Sequence, residues 1–166
     1  MVDASPFVAL ELSQYEVYGL FFLLGSFVVA SVSDLKHLSA QREFMDVWIA
    51  VAVILFILDL ANANWRPDAP FLVKWGLVIL LSLLSWQRVG LVFRLAPADV
   101  AACAAAAALL SPLLILLFFM VMKVLSWPLG PLLARGRNVY PFMPVVTLGV
   151  VAVLGFAVAT DPGLMV

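Results

Sequence analysis

Six apolar runs, each bounded by turn-forming or charged residues, constrain this chain more than any other feature. They cover residues 17–32, 47–61, 71–86, 95–110, 113–127 and 142–160. A helix needs about 20 apolar residues to cross the hydrocarbon core of a bilayer, and fewer where neighbours bury its end. Breakers separate the runs: Asn62, Asn64 and Pro67 to Pro70 after the second, Ser111-Pro112 after the fourth, and Pro128, Gly130, Pro131, Gly136 and Asn138 after the fifth. Such residues favour turns because of their φ restrictions or their own backbone hydrogen bonding. The pattern predicts an all-α, polytopic membrane bundle of about six transmembrane helices. A five-span alternative joins the fourth and fifth runs into one long helix kinked at Pro112.

No stretch is polar enough to fold as a separate aqueous unit, so residues 1–166 read as one integral membrane domain. Hydrophobic residues make up 66% of the chain, against roughly 45–50% in soluble proteins. The lipid bilayer is therefore the first partner. Cys103 is the only cysteine, which leaves no internal disulfide and no cysteine cluster for a metal. No cofactor motif is present. A formal net charge of −1 offers no basic surface for nucleic acid.

The placement of cations orients the bundle. Under the six-span reading the odd-numbered connectors hold Lys36, Arg42, Arg88, Arg94, Arg135 and Arg137, and the opposite side holds Arg66 and Lys74. By the positive-inside tendency the odd connectors are cytoplasmic and both termini external. The segment before the first run carries Asp3, Glu11 and Glu16 and no basic residue. It lacks the positive flank of a cleavable signal, so the first span is read as part of the mature protein.

This topology brings two carboxylates to one depth. Asp34 follows the first run in ASVSDLKHLSAQREFMDVW, and Asp99 opens the fourth in RLAPADVAACAAAAALL. Ionisable groups at the membrane core are costly and point to function. Two carboxylates a few ångströms apart share a proton. One can act as general base on a water while the other, protonated, polarises a peptide carbonyl and later protonates the leaving amine. That is aspartyl-protease chemistry, and it needs no metal, thiol or histidine. The plainer readings stay open: Asp99 as a first-turn acid favoured by the helix dipole, and Asp34 as interfacial polarity ending a span. Glu43 and Asp46, acids at the start of the second span, read as cap and solubility residues and as reserve members of the pair.

An aspartate ending the first span, a small-x-small-Asp motif opening the fourth, and PFMPVVTLG starting the last together resemble the archaeal type IV prepilin peptidases, which include the preflagellin (pre-archaellin) peptidases. These are membrane aspartyl proteases of the GxGD class. The likeness extends over nearly the whole chain in order and hydropathy. It implies that Asp34 and Asp99 are the catalytic pair, and that the substrates are pilin-like or archaellin precursors losing short basic leader peptides at the cytoplasmic face. Glu43 and Asp46 would attract the leader's basic residues, although Lys36 and Arg42 stand beside them. Pro141 and Pro144, which fix the start of the last helix, would by the same resemblance help seat an extended substrate. The chain has no room for the cytoplasmic cysteine-bearing domain that bacterial relatives use in N-methylation, so proteolysis without methyl transfer is expected. One departure stands: the GxGD motif is here Ala96-Pro97-Ala98-Asp99. Alanine keeps the small size of glycine but not its backbone freedom.

The rival from another class is a non-catalytic scaffold, a pseudoenzyme, or a small transporter subunit using the same aspartates as proton or cation ligands. Transporters of that kind often carry internal repeats, and none is evident. The alanine run of the fourth span reads as a small-residue face for close helix packing, and Cys103 as a small hydrophobe within it. His37 reads as a solvated connector residue. Trp48, Trp65, Trp75, Trp86 and Trp127 fall near proposed span ends, as an aromatic belt would.

Overall fold

In a computed structural model of the chain, residues 12–37, 42–134 and 141–160 are described. Asp3, Glu11, Arg135, Gly136, Arg137 and Asn138 lie outside these residues. Six helices follow in order: α1 Gln14–His37, α2 Arg42–Asn62, α3 Ala69–Ser85, α4 Pro97–Ala108, α5 Pro112–Ala134 and α6 Met143–Thr160. Each falls on one of the six apolar runs. Four of them, α1, α2, α5 and α6, are long and apolar enough to cross a membrane, whereas α3 and α4 are shorter. At 1.5 Å per residue, the 12 residues of α4 extend about 18 Å, too little to cross a core of about 30 Å. Because α4 is enclosed by its neighbours, it need not satisfy that length: Ala102, Cys103, Ala105, Ala106 and Ala107 are wholly buried.

Local chemistry sets the boundaries. Ser13 and Glu16 open α1 with a capping arrangement in which the Ser13 backbone N–H and hydroxyl both donate to Glu16 Oε2, each at 2.7 Å, satisfying groups the first turn leaves free. Asp68 caps α3 by accepting from Phe71 N at 2.9 Å, with Pro70 in the first turn, where a missing N–H is harmless. The turn between α2 and α3 passes through positive φ at Asn64 (52°) and Trp65 (58°). The fourth and fifth runs form two helices broken at residues 109–111, which removes the five-span alternative.

Two boundaries differ from the sequence reading. Asp34 is not in a connector after the first span but inside the last turn and a half of α1, which continues to His37. Likewise α5 passes through Pro128 and Pro131 and ends at Ala134. Each proline deletes one backbone donor while keeping a helix-compatible φ, and near a helix end this is not enough to stop the turn.

The helices stack around α4. It packs against α2 and α3 on one side and touches α1, α5 and α6 on the other, while α6 lies between α1 and α5. Close approach is built into two seams. A Cβ on Gly149 of α6 would stand 2.8 Å from Met122 Cγ and 3.0 Å from Phe118 Cε2 of α5. One on Gly19 of α1 would stand 2.9 Å from Leu109 Cδ1, just past the end of α4. The tryptophans divide: Trp65 and Trp127 are exposed, but Trp48 is fully buried. Its ring packs edge-on to Phe27 at 5.3 Å and stacked on Phe44 at 5.8 Å, and its Nε1 donates to Ser26 Oγ at 3.0 Å. Trp75 is also buried. For these two the belt expectation is replaced by core packing with a partnered N–H.

Candidate functional site

Three helix ends meet at one end of the bundle: the C-terminal end of α1 and the N-terminal ends of α4 and α6. Phe142 caps α6, since its carbonyl accepts from Val145 N and Val146 N. The first N–H groups of such a helix have no internal partner. Asp34 supplies one from across the α1–α6 seam, with its Oδ2 accepting from Met143 N at 3.2 Å and its carboxylate also bonded by the Phe142 backbone. A carboxylate there also meets the positive end of the helix dipole. Asp34 is 6% exposed, so α6 provides the compensation that burial of a charge demands.

Asp99 is held in a parallel way. Ala96 is the N-cap of α4 and Pro97 its first residue, which puts Asp99 at the third helical position. From there its carboxylate reaches back to the Ala96 backbone, the acidic half of a capping box. Asp99 is 9% exposed and interacts electrostatically with Asp34. The two carboxylates predicted from sequence are thus brought together, each fixed at a helix N-terminus and both buried.

Ala96 and Ala98, ahead of Asp99, carry no backbone strain. Ala96 has φ −66° and ψ 157°, an ordinary extended conformation, and the positive-φ residues other than glycine are Asn64 and Trp65 alone among those described. Glycine's freedom at φ > 0 is not called on here.

The segment leading into α4 is tied down by residues the sequence reading passed over. It folds back on the end of α3, with Leu95 N donating to Ser85 O at 2.9 Å and Gln87 N to Leu95 O at 3.0 Å. Gly90 turns the loop at φ 62°. Phe93, nearly buried, packs edge-on against Phe142 at 5.2 Å and so joins the lead-in of Asp99 to the helix start that holds Asp34. Lys123, inside α5, donates to Val92 O at 2.7 Å and lies 5.1 Å over the Phe93 ring. One turn below Asp34, Ser31 Oγ and Thr147 Oγ1 are 2.7 Å apart. Thr147 also donates to Met143 O at 2.9 Å. This polar pair pins α1 to α6 next to the site. Burial plus small polar residues on facing helices is the signal that such pairs leave in a sequence, but it does not name the partner.

The other predicted residues lie further out. Glu43 and Asp46 are exposed on the first turns of α2, at the end of the bundle where the aspartates lie. Pro141 is buried and Pro144 half-buried. They flank the two residues whose N–H groups hold Asp34. Cys103 is fully buried, with Sγ 3.9 Å from Met122 Sδ. Among the described residues, no group of three or more His, Cys, Asp or Glu stands where it could hold a metal ion. Compared with known proteins, the chain matches no family model, no curated protein and no solved structure.

Proposed function

We propose that the chain is a membrane aspartyl endopeptidase that removes basic leader peptides from type IV pilin-like or archaellin precursors, without methyl transfer. The observation that supports this reading is that Asp34 and Asp99 are both buried at one end of an apolar bundle, near enough to interact electrostatically. Asp34 stands on α1 yet bonds the start of α6, whereas Asp99 bonds the start of its own helix, α4, so carboxylates from separate elements are held at the same end of the bundle. The ordered resemblance to the GxGD peptidases, with its aspartates at these two positions, supports the same reading.

In this mechanism one carboxylate takes a proton from a water, whose oxygen attacks the scissile carbonyl. The other, protonated, donates to the carbonyl oxygen. Collapse of the tetrahedral adduct breaks the C–N bond as a proton passes to the leaving amine. The N–H groups of Met143 and Phe142 hold Asp34 in place throughout. Helical peptide bonds are internally hydrogen-bonded and shielded, so the cleaved segment must be locally unwound.

Charge supports the proposed sidedness. Lys36, Arg42, Arg88 and Arg94 lie at the aspartate end and Arg66 and Lys74 toward the other, a bias that by the positive-inside tendency favours a cytoplasmic face for the aspartates and an external one for the start of α1 and the end of α6. The test is to incubate membranes containing the protein with pilin-like and archaellin precursors and map any new N-terminus by mass spectrometry. Cleavage after the basic leader, unmethylated and lost in both Asp34→Asn and Asp99→Asn, is expected. No cleavage of any precursor favours the scaffold or transporter reading.

A further inference from the structure

Between α2 and α3, floored by α4, runs an open apolar groove of about 430 Å³. Ile49 and Val53 of α2, Ile79 and Ser82 of α3, and Pro97 and Ala104 of α4 are among the residues that line it. The groove is clasped at one end. Near the α2–α3 turn, Lys74 Nζ and Trp75 Nε1 both donate to Asp59 Oδ2, at 2.8 and 3.0 Å, and Phe56 packs on Trp75 and Phe71 at 5.0 and 5.4 Å. Toward the other end α4 comes between the two helices, and its first residue, Pro97, is both a wall of the groove and two positions from Asp99.

Resting on the peptidase reading above, we propose that this groove seats the apolar segment of the substrate and presents the peptide just before that segment to Asp99. Two polar features choose a peptide with a cation ahead of an apolar stretch over a lipid chain. Asp46, exposed at the open end, is one helical turn from Ile49 on the same side of α2, so a basic residue preceding the seated segment meets a carboxylate. The walls below are almost wholly apolar, which suits a hydrophobic helix and an acyl chain alike and leaves the choice to the polar groups. Ser82 Oγ is buried and without a hydrogen-bond partner among the described residues. An unwound backbone near the aspartate end offers it an N–H or C=O, which an acyl chain lacks.

The experiment uses the full-length protein in phosphatidylcholine nanodiscs with a photoreactive benzophenone side chain at position 53 or 79. The controls place it at position 124 or 151, where Val124 of α5 and Val151 of α6 are exposed away from the groove. The probe is a synthetic peptide with two lysines followed by about twenty apolar residues. Labelling concentrated at positions 53 and 79 is expected. Asp46→Lys should weaken it by about threefold, as exposed charge pairs do, with recovery when glutamates replace the peptide's lysines. Equal labelling at all four positions overturns the proposal, as does labelling of the groove by a photoactivatable phospholipid that the peptide does not displace. Cleavage of the same peptide is scored separately. Groove labelling without cleavage keeps the docking site and removes the peptidase reading, whereas cleavage without groove labelling keeps the peptidase and removes the docking site.

Discussion

The hydrogen bond between Ser31 and Thr147 gives the sharpest energetic prediction, because the two hydroxyls are not equivalent. Thr147→Val leaves Ser31 Oγ in a residue only 8% exposed, without its 2.7 Å partner. In a bilayer an interhelical bond of this kind contributes about 0.6 kcal/mol on average and up to about 1.7. The Ser31 hydroxyl can turn back to its own helix, so a loss of about 1 kcal/mol is expected. Ser31→Ala does less damage, since Thr147 Oγ1 keeps its 2.9 Å bond to Met143 O. About half a kcal/mol fits that smaller loss. The double variant should then cost less than the sum, with a coupling of roughly 0.6–1 kcal/mol. The assay is reversible unfolding in mixed micelles for the four members of the cycle. Strict additivity, or a greater loss for Ser31→Ala than for Thr147→Val, refutes the bond as a pin of the α1–α6 seam. Because the same seam sets the 3.2 Å contact of Asp34 with Met143 N, cleavage should slow in parallel with the loss of stability.

Three further substitutions test the packing. Ala106 is wholly buried on the small-residue face of α4, so Ala106→Leu should overpack it and lower stability by about 1–3 kcal/mol, read as a lower thermal midpoint in detergent. Trp48→Phe removes the 3.0 Å bond to Ser26 and should lose about 1 kcal/mol. Trp127→Phe, at a side chain 84% exposed, should stay within about 0.5 kcal/mol of the native protein.

Much of the helix order was legible because the apolar runs and their breakers act locally. Asp68 and Pro70 start α3, and Ser111-Pro112 separates α4 from α5, by chemistry confined to a few neighbouring residues. Helix ends were less legible where polarity and helicity part company. Asp34, Lys36 and His37 look like a connector by composition, yet they continue α1 because Asp34 gains partners on α6. Pro128 and Pro131 look like a stop, yet a proline near a helix end removes only one bond. Trp48 was misplaced because position along a helix suggests a belt, whereas the side of the helix it occupies is set by Phe27 and Phe44. The two aspartates could be placed at one end of the bundle because topology fixes depth. Their supports could not: Ser31 and Thr147 are 116 residues apart, Lys123 and Val92 are 31 apart, and nothing in either local stretch names the other.

The most direct test is the cleavage rate of one precursor by the native protein, Asp34→Asn, Asp99→Asn and the variant carrying both changes. Groups that act as a single catalytic unit are strongly non-additive, so each single change should abolish turnover to the same residual rate as the double change. A single variant that still processes the precursor, or losses that multiply when the two are combined, would contradict a shared role for these carboxylates.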